Sequence, residues 1–129
     1  MKKYTVHAED DASSAPRPHE KKTAEKLAQL MESNIVFLRR AASKTPDLFV
    51  LKTNIRWELK SPTGGGKHTI QNNLREADDQ SDNVILDLTR SKLSDRQGIS
   101  RANEFIRTER TRIKRLKVLT KTGKLLDIK

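Results

Sequence analysis

The stretch Pro46-Asp47-Leu48-Phe49-Val50-Leu51-Lys52-Thr53-Asn54-Ile55-Arg56-Trp57-Glu58-Leu59-Lys60-Ser61-Pro62 reads as two short strands joined by a turn. Leu48 to Leu51 is a branched and aromatic apolar run opened by Pro46-Asp47, and Ile55 to Leu59 alternates strictly. Both are bounded by polar breaks, as strands are. Because strand side chains alternate with period two, Ile55, Trp57 and Leu59 share one face while Arg56, Glu58 and Lys60 share the other. Trp57 is thereby assigned to the core rather than to base stacking. If the turn pivots on Lys52-Thr53, antiparallel pairing sets Val50 opposite Ile55 and Asp47 opposite Glu58, with facing side chains roughly 5 Å apart. Two carboxylates and an ammonium then converge.

Such a cluster has a chemical use. Hard divalent cations bind carboxylate oxygens, and a bound ion polarises a phosphate and lowers the pKa of an attacking water. Mg, Mn or Zn are the candidate ions for Asp47 and Glu58, with Lys60 beside them to position the water or offset charge on the phosphorane. Two close carboxylates repel, and a cation makes their proximity tolerable. The bland alternative places Glu58 and Lys60 on the solvated face of an edge strand. The triplet acid-x-Lys recurs at Glu20–Lys22 and Asp127–Lys129, so it carries weight only through its position between two paired strands.

Outward from this centre, Ile35 to Leu38 predicts a further strand, and Ala24, Leu27, Ala28 and Met31 predict an amphipathic helix that opens at Pro18. Residues 1–17 read as a lead-in segment with room for one short strand. On the other side, Ser61 to Lys67, with Pro62 and three glycines, is a loop or lid. Ile70, Leu74 and Ala77 mark a second helix ending near Ser81, and Val84 to Leu88 a buried strand. Ile99 to Arg107 supports a third helix, and Leu116 to Thr120 with Leu125 to Ile128 a hairpin around Thr122-Gly123. The expected fold is α/β, a mixed sheet flanked by helices, in the order α-β-β-β-α-β followed by a helix and a C-terminal hairpin, forming one domain over residues 18–129.

Bulk properties agree with one small domain. At 129 residues, 33% hydrophobic, the chain fills one modest core. With 27 Lys and Arg against 17 Asp and Glu, its net charge of +10 favours polyanions, nucleic acid above all. No run approaches the roughly 20 apolar residues of a membrane span, and Met1-Lys2-Lys3-Tyr4 lacks a signal peptide's apolar stretch, so a soluble chain is expected. The absence of cysteine removes disulfides, thiolate metal sites and a cysteine nucleophile. His7, His19 and His68 are too scattered for a paired-histidine metal site, which leaves carboxylates as the ligands.

Several residues outside the central pair carry chemistry. Glu20 shares the apolar stripe of the first helix, an odd place for a lone carboxylate; the alternative is a first-turn acid complementing the helix dipole. Thr69, Gln71, Asn72 and Asn73 open the second helix, where free backbone donors and amide side chains can hold a phosphate, although simple capping by Thr69 also accounts for the pattern. Gly64-Gly65-Gly66-Lys67 lacks Walker spacing, which argues against a nucleotide cofactor and for a flexible substrate-contacting loop carrying Lys67. His68 could serve as a general acid in a metal-free ribonuclease, but one loop histidine is usually incidental. Arg101, Arg107, Arg110, Arg112, Lys114, Arg115 and Lys117 form a dense basic set suited to a nucleic-acid backbone. Aromatic content of 4% gives no stacking platform for single strands.

Pro46-Asp47, ten residues, then Glu58-Leu59-Lys60 resembles the PD-(D/E)XK signature of the restriction-endonuclease-like fold. More narrowly, Arg17-Pro18-His19-Glu20 with Thr23-Ala24-Glu25, and Trp57-Glu58-Leu59-Lys60-Ser61-Pro62 through Thr69-Ile70-Gln71-Asn72-Asn73-Leu74 to Gln80-Ser81-Asp82-Asn83, are similar to CdiA-type C-terminal tRNase toxin domains, over about Arg17 to Lys129. The resemblance implies a metal-dependent endonuclease of tRNA, the toxic end of a contact-dependent growth inhibition system, neutralised by a cognate immunity protein. It also implies export as part of a larger protein and action in the target-cell cytoplasm. In that fold a glutamate on the first helix often completes the metal site, and Glu20 stands at that place. Implied roles are then Asp47, Glu58 and Glu20 on the metal, Lys60 in catalysis, and Thr69, Asn72, Asn73, Lys67, Arg101, Arg112 and Lys114 on the substrate. A DNA endonuclease of the same fold, a non-catalytic basic nucleic-acid-binding module and a metal-independent ribonuclease are the competing readings.

Overall fold

The computed structural model describes residues 3–8, 17–38 and 47–129, which form seven strands and three helices. Pro46 of the expected signature lies outside the described residues. The chain divides into two compact units, Met1–Glu58 and Leu59–Lys129.

The first unit contains β1 (Val6–Ala8), α1 (Pro18–Leu30), β2 (Ile35–Leu38), β3 (Asp47–Val50) and most of β4 (Ile55–Lys60). Helix α1 starts with proline in its first turn, where the missing N–H costs nothing. It buries Glu20, Thr23, Ala24, Leu27 and Ala28 at three- and four-residue spacing. Beyond Leu30 the chain turns through Glu32, whose φ is 50°, and Ser33 and Asn34 fasten the turn. Ser33 Oγ accepts the Lys52 N–H at 2.9 Å and Asn34 Oδ1 accepts the Thr5 N–H at 3.0 Å. Strand β1, inside the expected lead-in segment and additional to the predicted strands, pairs parallel with β2. Strands β2, β3 and β4 follow as an antiparallel meander. The β3–β4 register is Val50 to Ile55 and Asp47 to Glu58, the pairing expected for a turn pivoting on Lys52-Thr53. Asn54, with φ of 56°, supplies the left-handed residue of that turn.

The second unit contains α2 (Thr69–Asp78), β5 (Asn83–Asp87), α3 (Asp95–Thr108), β6 (Arg115–Leu119) and β7 (Leu125–Asp127), together with the last two residues of β4. Strands β5 and β6 are parallel, joined through α3, and β7 returns antiparallel to β6. Their core joins Ile70, Leu74 and Ala77 of α2, Val84 and Leu86 of β5, Ala102 and Phe105 of α3, and Leu116 and Val118 of β6. Helix α3 begins with a reciprocal cap: Ser94 Oγ accepts the Gln97 N–H at 3.1 Å and Gln97 Oε1 accepts the Ser94 N–H at 3.0 Å. Gly98 lets this helix close onto the end of β5, since a Cβ there would lie 2.5 Å from Leu88 Cδ1. No helix among the described residues is long and apolar enough to cross a membrane.

Candidate active site

Strand β4 carries both halves of the predicted cluster. Glu58 and Lys60 are two residues apart on one strand and so project to the same side. An edge strand would leave that side wet, yet Glu58 is 1% exposed and Lys60 2%. Arg56, on the same side nearer the turn, is exposed. The apolar alternation that puts Trp57 and Leu59 in the core is therefore matched, at the C-terminal end of β4, by burial of the charged face. Burying an ionisable group is costly unless it is paired, so these are not incidental surface residues.

In the first unit, Asp47 faces Glu58 directly across the β3–β4 pair. Asp47 Oδ2 accepts from Arg56 Nε at 2.9 Å and is 2.8 Å from a second guanidinium nitrogen. Arg56 thus compensates part of the charge of two facing carboxylates. Glu20 is 5% exposed, and its Oε1 accepts the Arg17 N–H at 2.9 Å. That bond caps the start of its own helix. Among the described residues, no three His, Cys, Asp or Glu side chains form a group that could hold a metal ion. What the strand pair does provide is two facing carboxylates, a pair of hard oxygen donors. Carboxylate oxygens are the donor type that hard divalent cations take, one or two of them with several waters sufficing for Mg.

In the second unit, the Lys60 ammonium meets Glu76 Oε1 of α2 at 2.8 Å, and Glu76 is itself 62% exposed. Sequence reasoning missed Glu76, because nothing in an exposed helical glutamate says which buried lysine it will reach. It also missed Asp87, fully buried at the end of β5, although a lone acid in the apolar run Val84 to Leu88 is a legible signal. Asp87 Oδ1 accepts from the Thr89 N–H at 2.9 Å and the Thr89 hydroxyl at 2.6 Å, and its Oδ2 from the Ser61 hydroxyl at 3.2 Å. It ties the residue after Lys60 to the end of β5.

The expected substrate contacts separate into two groups. The loop from Ser61 to Lys67 is held rather than free, since Gly64 O accepts from the Ser91 hydroxyl at 2.9 Å and the Lys92 N–H at 3.3 Å. Lys67 and Asn72 are exposed beside it. His68, not Thr69, occupies the N-cap position of α2 without a side-chain capping bond, and its ring lies 3.0 Å from Gln71 Oε1. Asn73 Nδ2 donates back to Thr69 O at 2.8 Å, which spends that amide inside the helix. Of the C-terminal basic set, Arg112 donates to Asp78 O at 3.2 Å, Lys114 lies 3.6 Å from Asp82, Arg115 donates to Asn83 Oδ1 at 3.1 Å and Lys117 lies 2.5 Å from Asp127. Arg112 and Lys114, expected on the substrate, thus have neighbours within the fold and remain exposed. Arg101 on α3 is half-buried.

The fold is similar to that of the CdiA-CT/CdiI toxin and immunity complex from Burkholderia pseudomallei, with a TM-score of 0.63 and 15% identity over 95% of this chain and 98% of that one. At that identity the likeness is one of fold. No curated protein sequence matches the chain. The family model described as contact-dependent growth inhibition CdiA C-terminal domain matches residues 44–125, well over half of the 129. The chain therefore belongs to the family of contact-dependent growth inhibition CdiA C-terminal domains.

Proposed function

We propose that this domain is a metal-dependent endonuclease that hydrolyses phosphodiester bonds in tRNA, with a PD-(D/E)XK centre made by Asp47, Glu58 and Lys60. The observation that carries the proposal is the burial of Glu58 and Lys60 on one side of β4 with Asp47 facing Glu58 across the strand pair. A fold gains little stability from a carboxylate pair and a sequestered ammonium, whereas metal-assisted phosphodiester hydrolysis can use both kinds of group. Asp47 and Glu58 would hold a divalent cation, which when bound supplies Lewis-acid polarisation of the phosphate and a more acidic water. Lys60 contributes a fixed positive charge with hydrogen-bond donors, suited to orienting a water or a phosphoryl oxygen. Glu76, at 2.8 Å, keeps that ammonium paired before substrate arrives.

Membership of the family supports reading the domain as the toxic end of a contact-dependent inhibition system, part of a larger exported protein; action in the target-cell cytoplasm belongs to the same proposal. The similar structure is a toxin and immunity complex, and we extend that arrangement to this chain as a cognate immunity protein. The test is a gel assay of purified protein on total tRNA and on plasmid DNA, with and without Mg²⁺, alongside Glu58→Gln. The expected result is tRNA cleavage that needs the metal and falls at least about 100-fold in the variant, the scale for loss of an electrostatic element of a hydrolytic site. Cleavage of DNA alone would reassign the substrate. Cleavage of neither, or undiminished cleavage by Glu58→Gln, would remove this centre from the account.

A further inference from the structure

Three loops of the second unit meet at one end, and the cations there have no acidic partner among the described residues, whereas Lys114 and Lys117 of the C-terminal basic set are each paired with an aspartate. The loop after β4 is bonded to the loop after β5 through Gly64 O, the Ser91 hydroxyl and the Lys92 N–H. Their backbones pass so closely that a Cβ on Gly65 would lie 2.8 Å from Lys92 Cβ. The β6–β7 turn joins them: Lys121 N–H donates to Asp95 Oδ1 at 2.8 Å, and the Lys121 ammonium donates to Ser91 O. Lys67, Arg90, Lys92, Lys121 and Lys124 stand on these loops and Arg96 in the first turn of α3, and all six are exposed. None forms a salt bridge among the described residues. Asp95, the acid at the start of α3, has a carboxylate oxygen occupied by the Lys121 N–H.

Placement makes this clustering more than excess charge. Lys67 immediately precedes the cap of α2, and Lys92 and Arg96 flank the cap of α3. The positive end of a helix dipole repels cations, so these positions oppose helix stability, by about 0.3–1 kcal/mol each where the effect is felt. Helix α2 carries no acid in its first turn to offset it. Cations kept where the fold disfavours them, and left unpaired, suit an anionic ligand approaching from outside. The surface also lies beside the loop that leaves Lys60, since Ser61 is bonded to Asp87 at the end of β5.

We propose that this loop end, rather than the paired cations around Lys114 to Lys117, is the surface that holds the phosphodiester backbone of the nucleic acid. The ligand follows from the chemistry: a run of spaced, exposed cations matches a run of phosphates, and charge-assisted contacts to phosphate need no base readout. The significance of Lys60 beside the surface rests on the nuclease reading, but backbone binding can be measured without cleavage.

The experiment is fluorescence anisotropy of end-labelled total tRNA in EDTA across a salt series, with wild type, Arg90→Ala/Lys92→Ala/Arg96→Ala and Lys114→Ala/Arg115→Ala/Lys117→Ala, each checked for folding by circular dichroism. A phosphate contact contributes a salt slope of about 0.7, or roughly fivefold in affinity at 0.1 M salt, so the first triple should flatten the slope by about two and weaken binding on the order of 100-fold. The second triple should leave the slope close to wild type. The reverse pattern overturns the proposal, as does an unchanged slope in both folded triples. Poly-glutamate that competes with tRNA mole for mole, and equally loses to the first triple, would assign the surface to an acidic protein and likewise overturn it. Loss of binding in the first triple without any cleavage by wild type would uphold the surface while the nuclease reading failed.

Discussion

Replacing Lys60 by methionine separates a functional ammonium from a structural one. Methionine keeps the buried aliphatic volume and deletes the charge. In the native protein the ammonium has three donors to satisfy and is 2% exposed, while its partner Glu76 is 62% exposed. Desolvating the ammonium costs several kcal/mol. A carboxylate that stays largely in water is screened and returns only part of this, on the order of 1 kcal/mol. The net expectation is a more stable protein, by about 1–3 kcal/mol, as when a buried ion pair is replaced by packed apolar groups. At roughly 2 cal/mol/K of unfolding entropy per residue, a chain of this size gains about 4 °C per kcal/mol, so Tm should rise by about 4–12 °C. Thermal unfolding followed by circular dichroism reads that change, and tRNA cleavage by the same preparation should fall at least about 100-fold. The pair can be tested by a double-mutant cycle: Glu76→Gln should cost on the order of 1 kcal/mol in the native background and nearly nothing beside methionine. A lowered Tm with cleavage intact would refute the reasoning and make Lys60 a structural cation.

Two other substitutions probe the reassigned residues. Asp78 Oδ1 accepts from the Thr111 hydroxyl at 2.8 Å and the Arg112 N–H at 2.7 Å, latching the end of α2 to the segment before β6; Asp78→Ala should cost about 1–2 kcal/mol in urea denaturation, and a change under about 0.3 kcal/mol would deny the latch. Glu20→Gln retains an acceptor for the Arg17 N–H, so stability should fall by less than about 1 kcal/mol and metal-dependent cleavage should persist; loss of cleavage in a folded variant would return Glu20 to the site.

Much of this was legible without coordinates. Strict alternation from Ile55 to Leu59 and a short turn were enough to set Asp47 opposite Glu58, because register in a hairpin is a local property of strand period and loop length. The amphipathic helices followed from apolar spacing of three and four, with proline marking the start of α1, while the third helix was expected only from Ile99 and begins at Asp95 behind the Ser94 cap. Strand β1 was harder to place, because Val6 to Ala8 is too short for a period and exists through its pairing with β2.

What the amino-acid sequence determined by itself, then, is the set of local elements, the net positive charge and the side of β4 on which the charged residues stand. Tertiary structure alone decided that Glu58 and Lys60 on this side are buried, that Glu76 reaches Lys60, that Glu20 caps its own helix, and that Arg112, Lys114, Arg115 and Lys117 are engaged by neighbours. The reason is physical: side-chain direction repeats along a strand or helix and can be counted, whereas burial and charge pairing depend on which distant segments the packed chain brings within a few ångströms.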